Sequence, residues 1–152
     1  IYGPMERVTA SRGNPSLIYK LMHAHLEDRS ISARGGDFVS DYTHVTDAGT
    51  IWRNLALADE LNHDIYNVSS GVAYPLSNVL ETLQELEPEF NFSYRDSNEK
   101  VDIEIRPESE RGALDLSRSI TEFGFATKYN LRDGLKTYLT WAREYPALFP
   151  ST

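Results

Sequence analysis

Hydrophobic positions recur along this chain with two different periods, and the points where the period changes divide it into elements. Leu17, Ile18, Leu21, Met22 and His25 keep to one broad helical face, with Asn14 as the expected cap and Pro15 at the first helical position. Residues 31–36 read as a short strand and a Gly-Gly turn. Tyr42, His44 and Thr46 alternate with Thr43 and Val45, as in a strand that stops where Asp47 can cap a helix over residues 48–61. That helix turns Ile51, Leu55 and Ala58 inward with Trp52 beside them, and Asn62 ends it. The β-branched residues 65–68 predict a strand closing on Ser69, Ser70 and Gly71. Ser77 then opens a helix with Val79, Leu80, Leu83 and Leu86 inward, closed by Pro88.

Phe90, Phe92 and Tyr94 alternate with polar residues, as do Val101, Ile103 and Ile105, so a hairpin turning at residues 96–98 is the simplest expectation. Two helices follow, at residues 117–123 with Gly124 as the stop and at residues 131–144. The second has Asn130 and Asp133 as a cap pair, a buried stripe of Leu131, Leu135, Tyr138, Leu139 and Ala142, and Pro146 beyond its end. Strands alternating with helices make this an α/β chain. The segment before Asn14 carries Tyr2, Gly3 and Pro4, a strand end running into a turn, and then mixed polar residues of a surface loop.

Composition narrows the function classes. The 152 residues suffice for one domain with a real core, and 40% hydrophobic content is ordinary for a globular protein. A formal charge of −8 argues against nucleic acid or an anionic membrane as a partner, because a polyanion would be repelled over most of the surface. Without cysteine there is no disulfide, thiolate nucleophile or thiolate-bound metal, and no apolar run is long enough to span a bilayer. A cytoplasmic location is the expectation. His23 and His25, two apart on a helix, point to different faces and do not make a metal pair.

The octet Ser40-Asp41-Tyr42-Thr43-His44-Val45-Thr46-Asp47 resembles the Arg-Asp-Tyr-x-His-Val-x-Asp signature of the extended short-chain dehydrogenase/reductases, which include nucleotide-sugar epimerases and dehydratases. Three further stretches resemble that family in its own order. They are Ile1-Tyr2-Gly3-Pro4, Tyr66-Asn67 through Gly71, and Asp115-Leu116-Ser117-Arg118 followed by Phe123-Gly124-Phe125. The family's glycine-rich phosphate turn has no counterpart here, and no Tyr is followed four positions later by Lys. The resemblance therefore implies the last strands of a Rossmann-like parallel sheet plus a small α/β substrate-binding lobe. It implies the substrate-side portion of a larger enzyme, with the NAD-binding portion absent from residues 1–152 and no catalytic residue among them. NAD or NADP as cofactor, a nucleotide sugar as substrate and a homodimer follow as properties of that larger enzyme.

Five residues are the substrate-binding candidates under this resemblance. Arg106, in Arg106-Pro107-Glu108, and Arg111 offer guanidinium forks that match phosphate oxygens, although Glu104, Glu108 and Glu110 surround them as on an ordinary charged loop. Ser16 and Leu17 align with the family's Asn-Leu pair at a helix start, where free N–H groups face the diphosphate; capping alone would also explain Ser16. Ser40 stands where many relatives have an arginine, which removes a charge-assisted bond of about 1.5–3 kcal/mol. Two alternatives remain open: a dehydrogenase or reductase of a non-nucleotide substrate, which Ser40 favours, and a non-catalytic binding module.

Overall fold

The computed structural model describes residues 1–6, 8, 13–95 and 99–148. Helix α1 (Leu17–Leu26) buries Ile18, Leu21, Met22 and Ala24. Its cap is Ser16 rather than Asn14, because the Ser16 hydroxyl accepts the Tyr19 amide at 3.1 Å. Pro15 consequently precedes the cap instead of following it.

Strand β1 (Ile31–Arg34) is the centre of a three-stranded sheet, with β4 (Phe92–Tyr94) on one side and β5 (Ile103–Glu104) on the other, both parallel to it. The expected hairpin does not form, and its turn at residues 96–98 lies outside the described residues. Alternation fixes which face of a strand is buried but not which neighbour it pairs with, so the same pattern served two parallel edges of β1. Side chains reinforce the choice. Asp102 accepts both the Ser32 amide (2.9 Å) and the Ser32 hydroxyl (2.6 Å), and Arg34 pairs with Glu104 at 3.0 Å. Gly35, at φ +81, ends β1 where a Cβ would lie 2.0 Å from the Ile105 carbonyl oxygen.

A two-stranded antiparallel ladder joins β2 (Val39–Asp41) to β3 (Ala73–Pro75), with Ser40 opposite Tyr74. Pro75 leads directly into α3 (Leu76–Leu86), whose Leu76, Val79, Leu80 and Leu83 are buried. Helix α3 packs on α5 (Leu131–Glu144), capped by Asn130 through the Asp133 amide at 2.9 Å. The three-stranded sheet, α1, α3 and α5 share one core that also takes in Tyr2.

The signature octet is organised differently from its sequence pattern. Only residues 39–41 are strand; His44 makes a single parallel bridge to Tyr2, and α2 (Val45–Leu57) begins at once. His44, not Asp47, is the cap, accepting the Thr46 amide on Nδ1 at 3.3 Å. Asp47 faces inward and accepts the Lys128 and Tyr129 amides at 3.0 and 3.1 Å, tying α2 to the approach of α5. Helix α2 stops at Leu57, before Asn62, and Trp52 is about half exposed at 51%.

Residues 65–68 form no strand, and Ile65 is exposed. Among the described residues no strand lies alongside; the Arg118 side chain donates to the Ile65 carbonyl at 2.7 Å, and the Asn67 side chain anchors the segment by donating to the Asp115 carbonyl at 2.8 Å. This segment borders a second, smaller core of Ile51, Leu116 and Phe125 between α2 and α4 (Ser117–Phe123), which Gly124 closes at φ +61.

Candidate functional site

The five candidate residues fall into two places. Ser40 is the middle residue of β2, and the loop after β5 returns to that strand's edge. The Arg111 amide donates to the Val39 carbonyl at 3.0 Å, while Glu110 Oε1 accepts the Val39 amide at 3.2 Å. Ser40 and Arg111 are thereby brought side by side, although α2, α3 and three strands separate them in sequence. Arg106 begins the same loop, just ahead of a short 3-10 turn (Pro107–Ser109).

Both arginines are exposed, and both carry internal partners. Arg106 Nε donates to Glu104 Oε2 at 2.8 Å, and Arg111 Nη1 donates to the Glu108 and Glu110 carbonyls at 3.1 and 2.8 Å. The Arg106 and Arg34 guanidinium groups hold the Glu104 carboxyl below the usual carboxylate range. An incoming phosphate would have to share or replace these partners.

Ser16 and Leu17 sit elsewhere, at the start of α1, with Leu17 packed on the main core. The N-terminus there already faces an anion. Glu6, itself buried, accepts the Ser16 amide on Oε1 at 2.8 Å and the Ser16 hydroxyl on Oε2 at 2.7 Å. A carboxylate on free amides at a helix start is a favourable electrostatic pairing. In the sequence Glu6 lies in a mixed polar loop, and no periodic signal marks it.

Behind Ser40 lies a polar hub built on Asp41. Its carboxylate accepts the Ser70 amide (3.1 Å) and hydroxyl (2.8 Å), the Thr43 hydroxyl (3.1 Å) and a short hydrogen bond from the Ser69 hydroxyl. Burial pushes this carboxyl up, but the bonds from Ser69, Ser70 and Thr43 outweigh it and hold the group below its ordinary value. The adjacent Ser69-Ser70 pair is the one sequence feature that could have suggested an acceptor opposite. Burial pushes the Tyr42 phenol up to about 12, offset in part by the nearby Ser40 hydroxyl. His44 is 1% exposed beneath the Tyr129 ring, centroids 4.2 Å apart, and its pKa is lowered by burial against the opposing pull of Asp47. It is neutral at pH 7 and serves as a cap.

No strand-to-helix turn among the described residues has the glycine cradle that a dinucleotide pyrophosphate requires: β3 runs into α3 through Pro75, and α2 starts on the His44 side chain. The described residues do not fit NAD. Among the described residues no three His, Asp or Glu side chains gather as a metal site would require.

No family model and no curated protein matches the sequence. Solved structures do. UDP-glucose 4-epimerase from Thermotoga maritima with UDP-glucose aligns with a TM-score of 0.75 at 18% identity, over 95% of this chain and 44% of that one. MoeE5 in complex with UDP-glucuronic acid and NAD gives 0.71 at 23% identity, over 94% and 44%. The Bordetella bronchiseptica enzyme WbmF with NAD+ and UDP gives 0.70 at 19% identity, over 97% and 44%. The chain thus has the α/β fold of one part of the NAD-dependent epimerases and dehydratases, the fold that the signature octet implied. It spans less than half the length of the solved structures it matches.

Proposed function

We propose that the chain supplies the substrate-binding part of an NAD(P)-dependent epimerase or dehydratase acting on a nucleotide sugar, with the cofactor held by a separate NAD-binding portion. The observation that carries this reading is the backbone pairing of Arg111 with Val39, which brings an arginine residue to the strand next to Ser40, where the signature normally supplies its own. Arg111 then takes over the diphosphate contact that Ser40 cannot make, and Arg106 flanks it from the same loop. Ser16 and Leu17 add the amino end of α1. The neighbours' bound UDP-sugars support the substrate class. Epimerisation, cytoplasmic location and a homodimer belong to the same reading. Calorimetric titration with UDP tests it. The chain should bind UDP at one site, and Arg111→Lys should lose about 1.5–3 kcal/mol because it keeps the charge but not the planar fork. Absence of UDP binding overturns the reading.

A second reading has its own observation. Glu6 already occupies the α1 start and Glu104 already neutralises Arg106, so this face carries less free positive charge than a diphosphate would require. That favours a non-nucleotide alcohol or ketone. Unchanged Michaelis constants for nucleotide sugar in Ser40→Arg, Arg106→Lys and Arg111→Lys forms of the assembled enzyme would select it.

A further inference from the structure

Helix α1 begins against a buried acid from the segment before it. Glu6 is 7% exposed, and its two carboxylate oxygens accept the Ser16 amide at 2.8 Å and the Ser16 hydroxyl at 2.7 Å. That hydroxyl also accepts the Tyr19 amide, so the carboxylate is tied into the first turn of α1 through the cap itself. The free amides and positive dipole end of a helix start attract any anion that reaches them. Here an internal one is already seated.

The backbone that delivers Glu6 is held outside its ordinary range. Residues 3–6 form a turn closed by the Glu6 amide on the Gly3 carbonyl at 3.3 Å, with Gly3 at φ +130 and Met5 at φ +71. Gly3 adopts its angle freely, whereas Met5 carries a Cβ and enters the left-handed region only under strain. The Glu6 bonds to Ser16 hold the turn against that strain. Beside the turn lies a cleft of about 420 Å³ whose wall includes Gly3, Met5, Glu6 and Trp52, which leaves room for the turn to relax once the bonds are released.

We infer that Glu6 is a built-in competitor for the phosphate of the ligand, filling the amino end of α1 in the empty site and giving way when a phosphate takes the Ser16 amide and hydroxyl. The inference rests on the nucleotide-sugar reading, in which Ser16 and Leu17 belong to the site, and adds the residue that regulates it. Two phosphate oxygens would make the same bonds to the same donors as the two oxygens of Glu6, so one anion excludes the other. Affinity at this end is then a difference between two anions.

Titration of the chain with UDP tests this, by calorimetry for affinity and by 15N-labelled amides for location. In the wild type, saturation should shift the amides of residues 16–19. Glu6→Gln keeps the shape of the side chain and removes the competing charge, so UDP should bind about tenfold tighter, the equivalent of one charge-assisted bond. Glu6→Ala, which removes the clamp altogether, should tighten UDP at least as much, and unshifted amides across α3 and α5 show that the core is intact in either variant. Saturation of the wild type without shifts at residues 16–19 overturns the inference and needs no variant. Equal or weaker UDP affinity in both variants with the core intact overturns it too. If Arg111→Lys weakens UDP in that same series, the nucleotide-sugar reading stands without the competitor, and failure of every form to bind UDP removes both.

Discussion

The two cores of this molecule are built on different terms. The larger one, under α1, α3, α5 and the three-stranded sheet, is closed on all sides by its own elements: Leu21, Met22, Leu80, Leu83 and Leu135 are fully buried. The smaller one, between α2 and α4, has three buried members, and its surroundings stay open. Trp52, Leu57 and Ile65 are exposed there, and Trp52 borders a cleft of about 420 Å³ that continues along Ile1, Pro4 and Met5. The first region stores stability and presents the candidate substrate face at its sheet ends. The second carries apolar surface without storing much stability, the composition expected of a contact face.

Mutations should separate the two. Leu80→Ala removes a fully buried side chain from the closed core and should cost about 2–5 kcal/mol, whereas Trp52→Ala should change stability by no more than about 0.5 kcal/mol. Urea melts of both variants check this, and a large loss in Trp52→Ala would show that the α2 face is packed in solution. Gly134→Ala should rank next, at about 1–3 kcal/mol, because a Cβ there would lie 2.0 Å from the hydroxyl of buried Tyr2. Thermal denaturation measures it; an unchanged midpoint would mean that Tyr2 can move aside.

The Asp41 hub joins the two regions and gives a pH-dependent effect. Its folded carboxyl titrates below the ordinary value, so its contribution is complete above about pH 4, the unfolded value, and is lost as pH falls through the depressed folded one. Stability of the wild type relative to Asp41→Asn should therefore be greatest near neutrality and shrink in acid. A difference that grows in acid would reverse the assignment. The smallest effect is local. Amides at residues 65–68, which belong to no ladder, should exchange hydrogen faster than those of β1, and equal protection would contradict the comparison.

What the sequence disclosed divides along the same line. Helices α3 and α5 were legible because their stripes face one continuous core, and Asn130, Asp133 and Gly124 mark ends whose chemistry is local. Strand pairing was not. Residues 65–68 have the composition of a strand without a neighbour, and β2 and β3 are too short, with Pro75 in one of them, to show alternation. The candidate substrate face was half legible. Its residue types were evident, but the meeting of Arg111 with β2 depends on a long-range return of the chain, and the Glu6 clamp on Ser16 depends on a loop without a pattern.

Under the proposed function this chain holds a nucleotide sugar without holding its cofactor. Titrating one preparation with UDP-glucose and separately with NAD tests it most directly, since both ligands carry a diphosphate and only one is expected to find its site. Saturable heat with UDP-glucose, diminished in Arg111→Lys, and none with NAD is the predicted result. Tight single-site binding of NAD with no response to UDP-glucose would contradict it.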